Sequence, residues 1–125
     1  MTENTFGFFK VSKYNTFCNL YVKNISMELT KDNFAAQTAS GLILVDFWAE
    51  WCGPCQAMMP TLAQFEEKTG VKVGKVNVDE QGELAGQFRV MSIPTFLFYK
   101  DGKVVEQLIG SRSLEDLEGL VAKHK

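Results

Sequence analysis

The chain has 125 residues, 46% of them apolar and 22% charged, with a net charge of −2, the size and balance of one domain with a core of its own. That charge excludes the basic footprint of a nucleic-acid binder and the polybasic run that would hold a chain on an anionic membrane. No apolar run is long enough for a membrane-spanning helix, and Lys10, Lys13 and Lys23 break up any signal-peptide core, while residues 1–26 lack the arginines of a transit peptide; the cytoplasm, where thiols stay reduced, is the expected compartment.

Residues 1–26 have weak periodicity and read as an N-terminal extension, either a leader or the product of an upstream start or, as the less favoured reading, a regulatory arm using Cys18. Residues 27–125 read as the domain. Ser26 to Leu29 suggests a short edge strand. Thr30 or Asp32 is placed to cap a helix to about Ser40, with Phe34 and Ala35 inward. Leu42 to Trp48 is a continuous apolar run broken only by Asp46, the pattern of a strand buried on both faces. A turn at Trp51-Cys52 opens a second helix to about Thr69, with Pro60 inside it and Gly70 ending it. Val71 to Val78 is the next strand, and residues 83–88 form a short helix. Thr95 to Tyr99 is a strand entered through Ile93-Pro94.

Lys100-Asp101-Gly102-Lys103 reads as a tight hairpin turn, because Asp-Gly tolerates positive φ. Val104 to Ile109 is the return strand. Ser113, with Asp116 three residues on, caps the last helix, whose buried stripe is Leu114, Leu117, Leu120 and Val121. The order β-α-β-α-β-α-β-β-α predicts an α/β fold: a central mixed β-sheet flanked by helices on both faces.

The three cysteines are Cys18, Cys52 and Cys55. Cys52 and Cys55 sit where a buried strand hands over to a helix. Unpaired amide N–H groups and the helix dipole favour a negative charge at that end, so a thiol there has a lowered pKa and becomes a nucleophile near neutral pH. Pro54 lacks an N–H that the first turn leaves unpaired anyway. Two other readings are half of a zinc site and a pair of inert buried cysteines. Zinc is short of ligands, since Cys18 and His124 are the only other Cys and His. Cys18 lies in the polar extension, where an odd cysteine needs no role.

The run Val45-Asp46-Phe47-Trp48-Ala49-Glu50-Trp51-Cys52-Gly53-Pro54-Cys55 resembles the active-site segment of bacterial thioredoxins. The likeness continues through Pro60, Lys75 to Asp79, Ile93-Pro94-Thr95, Asp101-Gly102 and Gly110. It implies the thioredoxin fold and reduction of protein disulfides, with Cys52 as the exposed attacking thiol and Cys55 as the more buried resolving thiol. It implies a cis Pro94 facing the disulfide, and no cofactor beyond the redox-active pair. The partners it implies are a thioredoxin reductase, an NADPH-dependent flavoprotein, and disulfide-containing clients such as reductases and peroxidases. A monomer is expected, with no metal.

Asp46 is either exposed on a misjudged strand or a buried carboxylate of raised pKa placed to accept the proton of Cys55; the resemblance favours the second. Lys75 matches the lysine near that carboxylate in relatives, though alone it reads equally as a surface lysine. Trp51 is expected to cover one side of the disulfide, and Gly53 and Pro54 to form the dipeptide of a reducing member of the family. Met91, Ser92, Ile93 and Pro94 form a facing loop that can pair its backbone with a client segment. Gly110 is expected to allow close backbone approach there. Gln56 replaces a basic residue of many relatives, and Met58, Met59 and Met91 enrich the rim in methionine. The rival is a binding module that uses the same fold as a scaffold, which has no need of Cys52, Cys55, Asp46 and Pro94 together.

Overall fold

The computed structural model describes residues 26–125. The expectations placed on residues 1–25, including the extension and Cys18, lie outside the described residues. The described residues form five strands and four helices, in chain order β1 Ser26–Glu28, α1 Phe34–Gln37, β2 Leu42–Trp48, α2 Gly53–Thr69, β3 Lys72–Asn77, α3 Gly82–Gln87, β4 Thr95–Lys100, β5 Lys103–Ile109 and α4 Leu114–His124.

The sheet order is β1-β3-β2-β4-β5. β3 runs parallel to both β1 and β2, whereas β4 runs antiparallel to β2 and to β5. The strand carrying Asp46 is thus central, and its five interior residues are buried. That is the physical reason for its near-continuous apolar run: helices cover both sides of it.

Alternation along β2 separates two cores. Ile43, Val45 and Phe47 pack with Phe34 of α1 and with Leu84 and Ala85 of α3. Leu44 packs on the other face with Met58, Leu62 and Phe65 of α2 and with Leu117 and Val121 of α4. Phe96 and Phe98 lie in this second cluster with no exposed surface. Gly74 of β3 is required by the first core: a Cβ there would overlap the side chain of Leu29, which is fully buried.

The hairpin has positive φ at Asp101 (50°) and Gly102 (85°), as the Asp-Gly pair predicts. Ser113 Oγ accepts the N–H of Asp116 at 3.1 Å, closing the start of α4. α1 is a correction. It spans only Phe34–Gln37, its N-cap residue Asn33 makes no side-chain capping bond, and Ala35 is exposed. Asn33 instead accepts the Thr30 N–H through Oδ1, at 2.7 Å. Its side chain thereby closes a local turn in place of a longer helix.

Candidate functional site

In a strand, residues two apart share a face. Asp46 therefore lies on the Leu44 face of β2, the face packed by α2. It pairs in register with Lys75 on β3 and Phe96 on β4. Only 1% of Asp46 is exposed. Lys75 Nζ is 3.8 Å from Asp46 Oδ2, an ion-pair distance too long for a hydrogen bond. Among the described residues neither carboxylate oxygen has a hydrogen-bond partner. Burial pushes the Asp46 carboxyl up to about 7, and the Lys75 charge only partly opposes this. The same burial pulls Lys75 below its ordinary value, against the pull of Asp46. The Lys75 ammonium also stands 4.5 Å over the Trp48 ring, a contact that favours the cation. Both residues are buried, which decides against an exposed Asp46 and a surface Lys75.

Cys52 caps α2 and Cys55 lies in its first turn. The two are joined by a disulfide, with their Cα atoms 5.3 Å apart. Cys52 Sγ accepts the backbone N–H of Cys55 at 3.2 Å, so a helix-end amide points at the sulfur as the N-terminal argument requires. Gly53 and Pro54 fill the first turn, both exposed, with Pro54 where no backbone donor is lost. Cys52 was expected to be exposed, but it is only 4% accessible, against 1% for Cys55. With the disulfide closed, Ala49, Trp48, Val78 and Ile93 pack round both sulfurs, and the exposed group beside them is Trp51, at 70%.

The facing loop is fixed by its backbone. Ile93–Pro94 is a cis peptide bond, and the Ile93 carbonyl oxygen lies 3.9 Å from Cys52 Sγ. Ser92 is exposed, and its carbonyl accepts the Thr95 hydroxyl at 2.7 Å. Gly110 N–H donates to the Pro94 carbonyl at 2.8 Å. The reason for glycine at 110 differs from the one expected. A Cβ would meet nothing within 4 Å, but φ is +92°, so the constraint is conformational rather than spatial.

One contributor escaped the sequence reading. Asp79 Oδ2 accepts the Trp51 indole N–H at 2.9 Å, holding that exposed ring beside the disulfide. Asn77, at the end of β3, aims the acid by accepting the N–H groups of Asp79 and Glu80 through Oδ1. An Asn two residues before an Asp at a strand end signals such an Asx turn. What the turn reaches, 28 residues away in sequence, has no local signature. Gln56 turns back to donate through Nε2 to the Glu50 carbonyl at 3.2 Å.

A family model described as thioredoxin matches residues 25–123. The thioredoxin of Bacillus subtilis is 46% identical over 100 residues, covering 78% of this chain and 96% of its own. That of Listeria monocytogenes is 48% identical over 99 residues with the same coverage. Among solved structures, a mutant thioredoxin from Halobacterium salinarum superposes with a TM-score of 0.76 at 31% identity, over 79% of this chain and 89% of its own. A chain from a study of thiol resolution in a yeast mitochondrial 1-Cys peroxiredoxin through the glutathione and thioredoxin systems gives 0.73 at 29% identity, over 80% and 96%. Sequence identity, fold and the joined cysteine pair all agree, and the chain belongs to the thioredoxin family of thiol–disulfide oxidoreductases.

Proposed function

We propose that this oxidoreductase works by a division of labour in which Cys52 attacks a client disulfide and Cys55 resolves the product. The observation that carries this is the capped sulfur: Cys52 sits at the N-terminus of a helix of 17 residues and accepts an amide N–H, which favours the thiolate there over Cys55. The Cys52 thiolate attacks one client sulfur and forms a mixed disulfide, and the other client sulfur leaves as a thiolate that takes up a proton. Cys55 then loses its proton, attacks Cys52 and releases the reduced client, closing the Cys52–Cys55 disulfide. Asp46 is the acceptor we assign to the Cys55 proton. Its support is a carboxyl titrating at about 7 on the strand face that packs α2, the helix containing Cys55. Lys75 tunes that carboxyl from 3.8 Å.

The client segment lies along Ser92, Ile93 and Pro94, with Trp51 and Gly110 at its sides and Gly53-Pro54 at the helix end. Exposed backbone on such a loop grips clients of varied sequence. The pair itself is the only redox group the cycle needs. Two electrons per turnover come from a thioredoxin reductase, the clients are disulfide-containing proteins such as reductases and peroxidases, and the protein acts as a monomer in the cytoplasm, where a reducing dithiol can be kept reduced. Residues 27–125 constitute the working domain.

The test is insulin reduction followed by turbidity, with dithiothreitol as electron source. Cys52→Ser should abolish it, and Cys55→Ser should accumulate mixed disulfides with the client. Traps formed by Cys52→Ser, with normal turnover in Cys55→Ser, would reverse the roles and defeat the helix-end argument.

A further inference from the structure

Among the described residues four large apolar side chains are exposed: Met91 at 93%, Trp51 at 70%, Ile109 at 61% and Val104 at 43%. Three of them lie on segments that adjoin the disulfide or its facing loop. Trp51 precedes Cys52. Ile109 stands opposite Thr95 in the β4–β5 register, beside Pro94. Met91 lies two residues before Ile93, whose carbonyl is 3.9 Å from Cys52 Sγ. Val104 lies near the hairpin turn, at the other end of β5. The other methionines of the described residues are covered: Met58 is 5% exposed and packs in the α2 core, and Met27 and Met59 are partly buried.

We propose that Met91 is a modification site: its thioether contacts the incoming client segment, and oxidation to the sulfoxide by hydrogen peroxide weakens client docking without touching the dithiol chemistry. The inference rests on the client groove argued above. The step balances simply. The sulfur attacks one peroxide oxygen, the O–O bond breaks, an S–O bond forms, and the remaining oxygen leaves as water with both hydrogens. The thioether gives up two electrons and the peroxide is reduced. The flexible apolar side chain becomes polar and chiral, so its place in the rim no longer favours an apolar client side chain. Exposure sets the order of attack, and among the methionines of the described residues Met91 is the most exposed. While the disulfide is closed neither sulfur of the pair is a thiolate, so among the described residues peroxide acts on the methionines.

The experiment treats the full chain, disulfide closed, with hydrogen peroxide, locates the added oxygen by peptide mass spectrometry, and then measures insulin reduction with dithiothreitol, which leaves sulfoxides in place. Met91 should be oxidised ahead of Met27, Met58 and Met59. KM for insulin should rise about three- to ten-fold, the range for losing one apolar rim contact, with kcat unchanged, and methionine sulfoxide reductases should restore it. Met91→Gln should show the raised KM without peroxide, and the KM of Met91→Leu should not respond to peroxide. Oxidation of another of these methionines first, an unchanged KM after Met91 is oxidised, or a peroxide response surviving in Met91→Leu would each overturn the inference while leaving the dithiol cycle intact. Failure of the untreated protein to reduce insulin would overturn the cycle and this inference with it.

Discussion

Asp46 and Glu106 are both carboxylates facing lysines across the sheet or its flank, and their surroundings drive them in opposite directions. Asp46 is buried in the central strand with no hydrogen-bond partner, 3.8 Å from Lys75. Burial outweighs the lysine and its carboxyl is pushed up to about 7. Glu106, on the outermost strand β5, accepts from Lys123 Nζ at 2.9 Å and has His124 Nε2 at the same distance from the same oxygen. Those hydrogen bonds hold it below the usual carboxylate range. Proximity of a cation alone decides neither case. A charge removed from water without compensating hydrogen bonds is penalised, while a charge with donors at the rim is supported. The first arrangement leaves a buried carboxyl that titrates near neutral pH, and the second ties the end of α4 to the sheet.

Within this contrast the largest expected effect comes from Asp46→Asn. If the carboxyl takes the Cys55 proton, insulin reduction at pH 7 should fall about 100-fold, the lower end of the range for a general base. Stability should rise. A folded pKa near 7 against about 3.9 unfolded means that the folded state binds the extra proton. The wild-type carboxyl is therefore unpenalised below the unfolded value and loses stability as pH rises towards 7. The variant escapes that loss, less the cost of a buried amide without partners, for a net gain of about 1–3 kcal/mol at pH 7. Chemical denaturation at pH 4 and pH 7 measures it; the gain should be confined to the higher pH.

Lys75→Met sharpens the same side of the comparison. Removing the cation takes away the one influence that lowers the Asp46 pKa, so the acid limb of the insulin-reduction profile should move alkaline by about one unit. An unchanged profile would show that Lys75 does not act on the group that limits the reaction.

Glu106→Gln should give the smallest effect, of opposite sign. A depressed folded pKa means that the stability from Glu106 is present above the unfolded value, about 4.3, and fades as pH falls through the folded one. The variant should be slightly less stable than wild type at neutral pH, equal to it in strong acid, and less affected as salt rises. Equal and like-signed responses in Asp46→Asn and Glu106→Gln would break the contrast.

Legibility followed the range of the interactions. The buried strand with its single acid, the Asp101-Gly102 turn and the Ser113 cap are local patterns, and each stands where its residues imply. The position of Cys52 at a helix end was equally local. The Trp51–Asp79 bond and the covering of Cys52 by Ile93 depend on segments brought together by the sheet, and nothing within a window of the sequence announces them. The antiparallel course of β4 beside β2 is of the same kind, because alternating strands and helices specify adjacency better than direction. α1 failed for a local reason: the Asn33 side chain satisfies Thr30 and shortens the helix. Residues with family counterparts, Asp46 and Lys75, were recognisable by resemblance, whereas the burial of Lys75 and the missing hydrogen bonds of Asp46 became visible only in the fold.

The most direct test of this contrast is a carbon-detected NMR titration of the side-chain carboxyl groups in the oxidised protein, with Asp46→Asn as the assignment control. The account predicts one aspartate resonance with a midpoint near pH 7 that is missing from the variant. An Asp46 resonance titrating in the ordinary carboxylate range, at about 4, would show that the buried carboxyl is ionised and solvated or paired at neutral pH, and would contradict it.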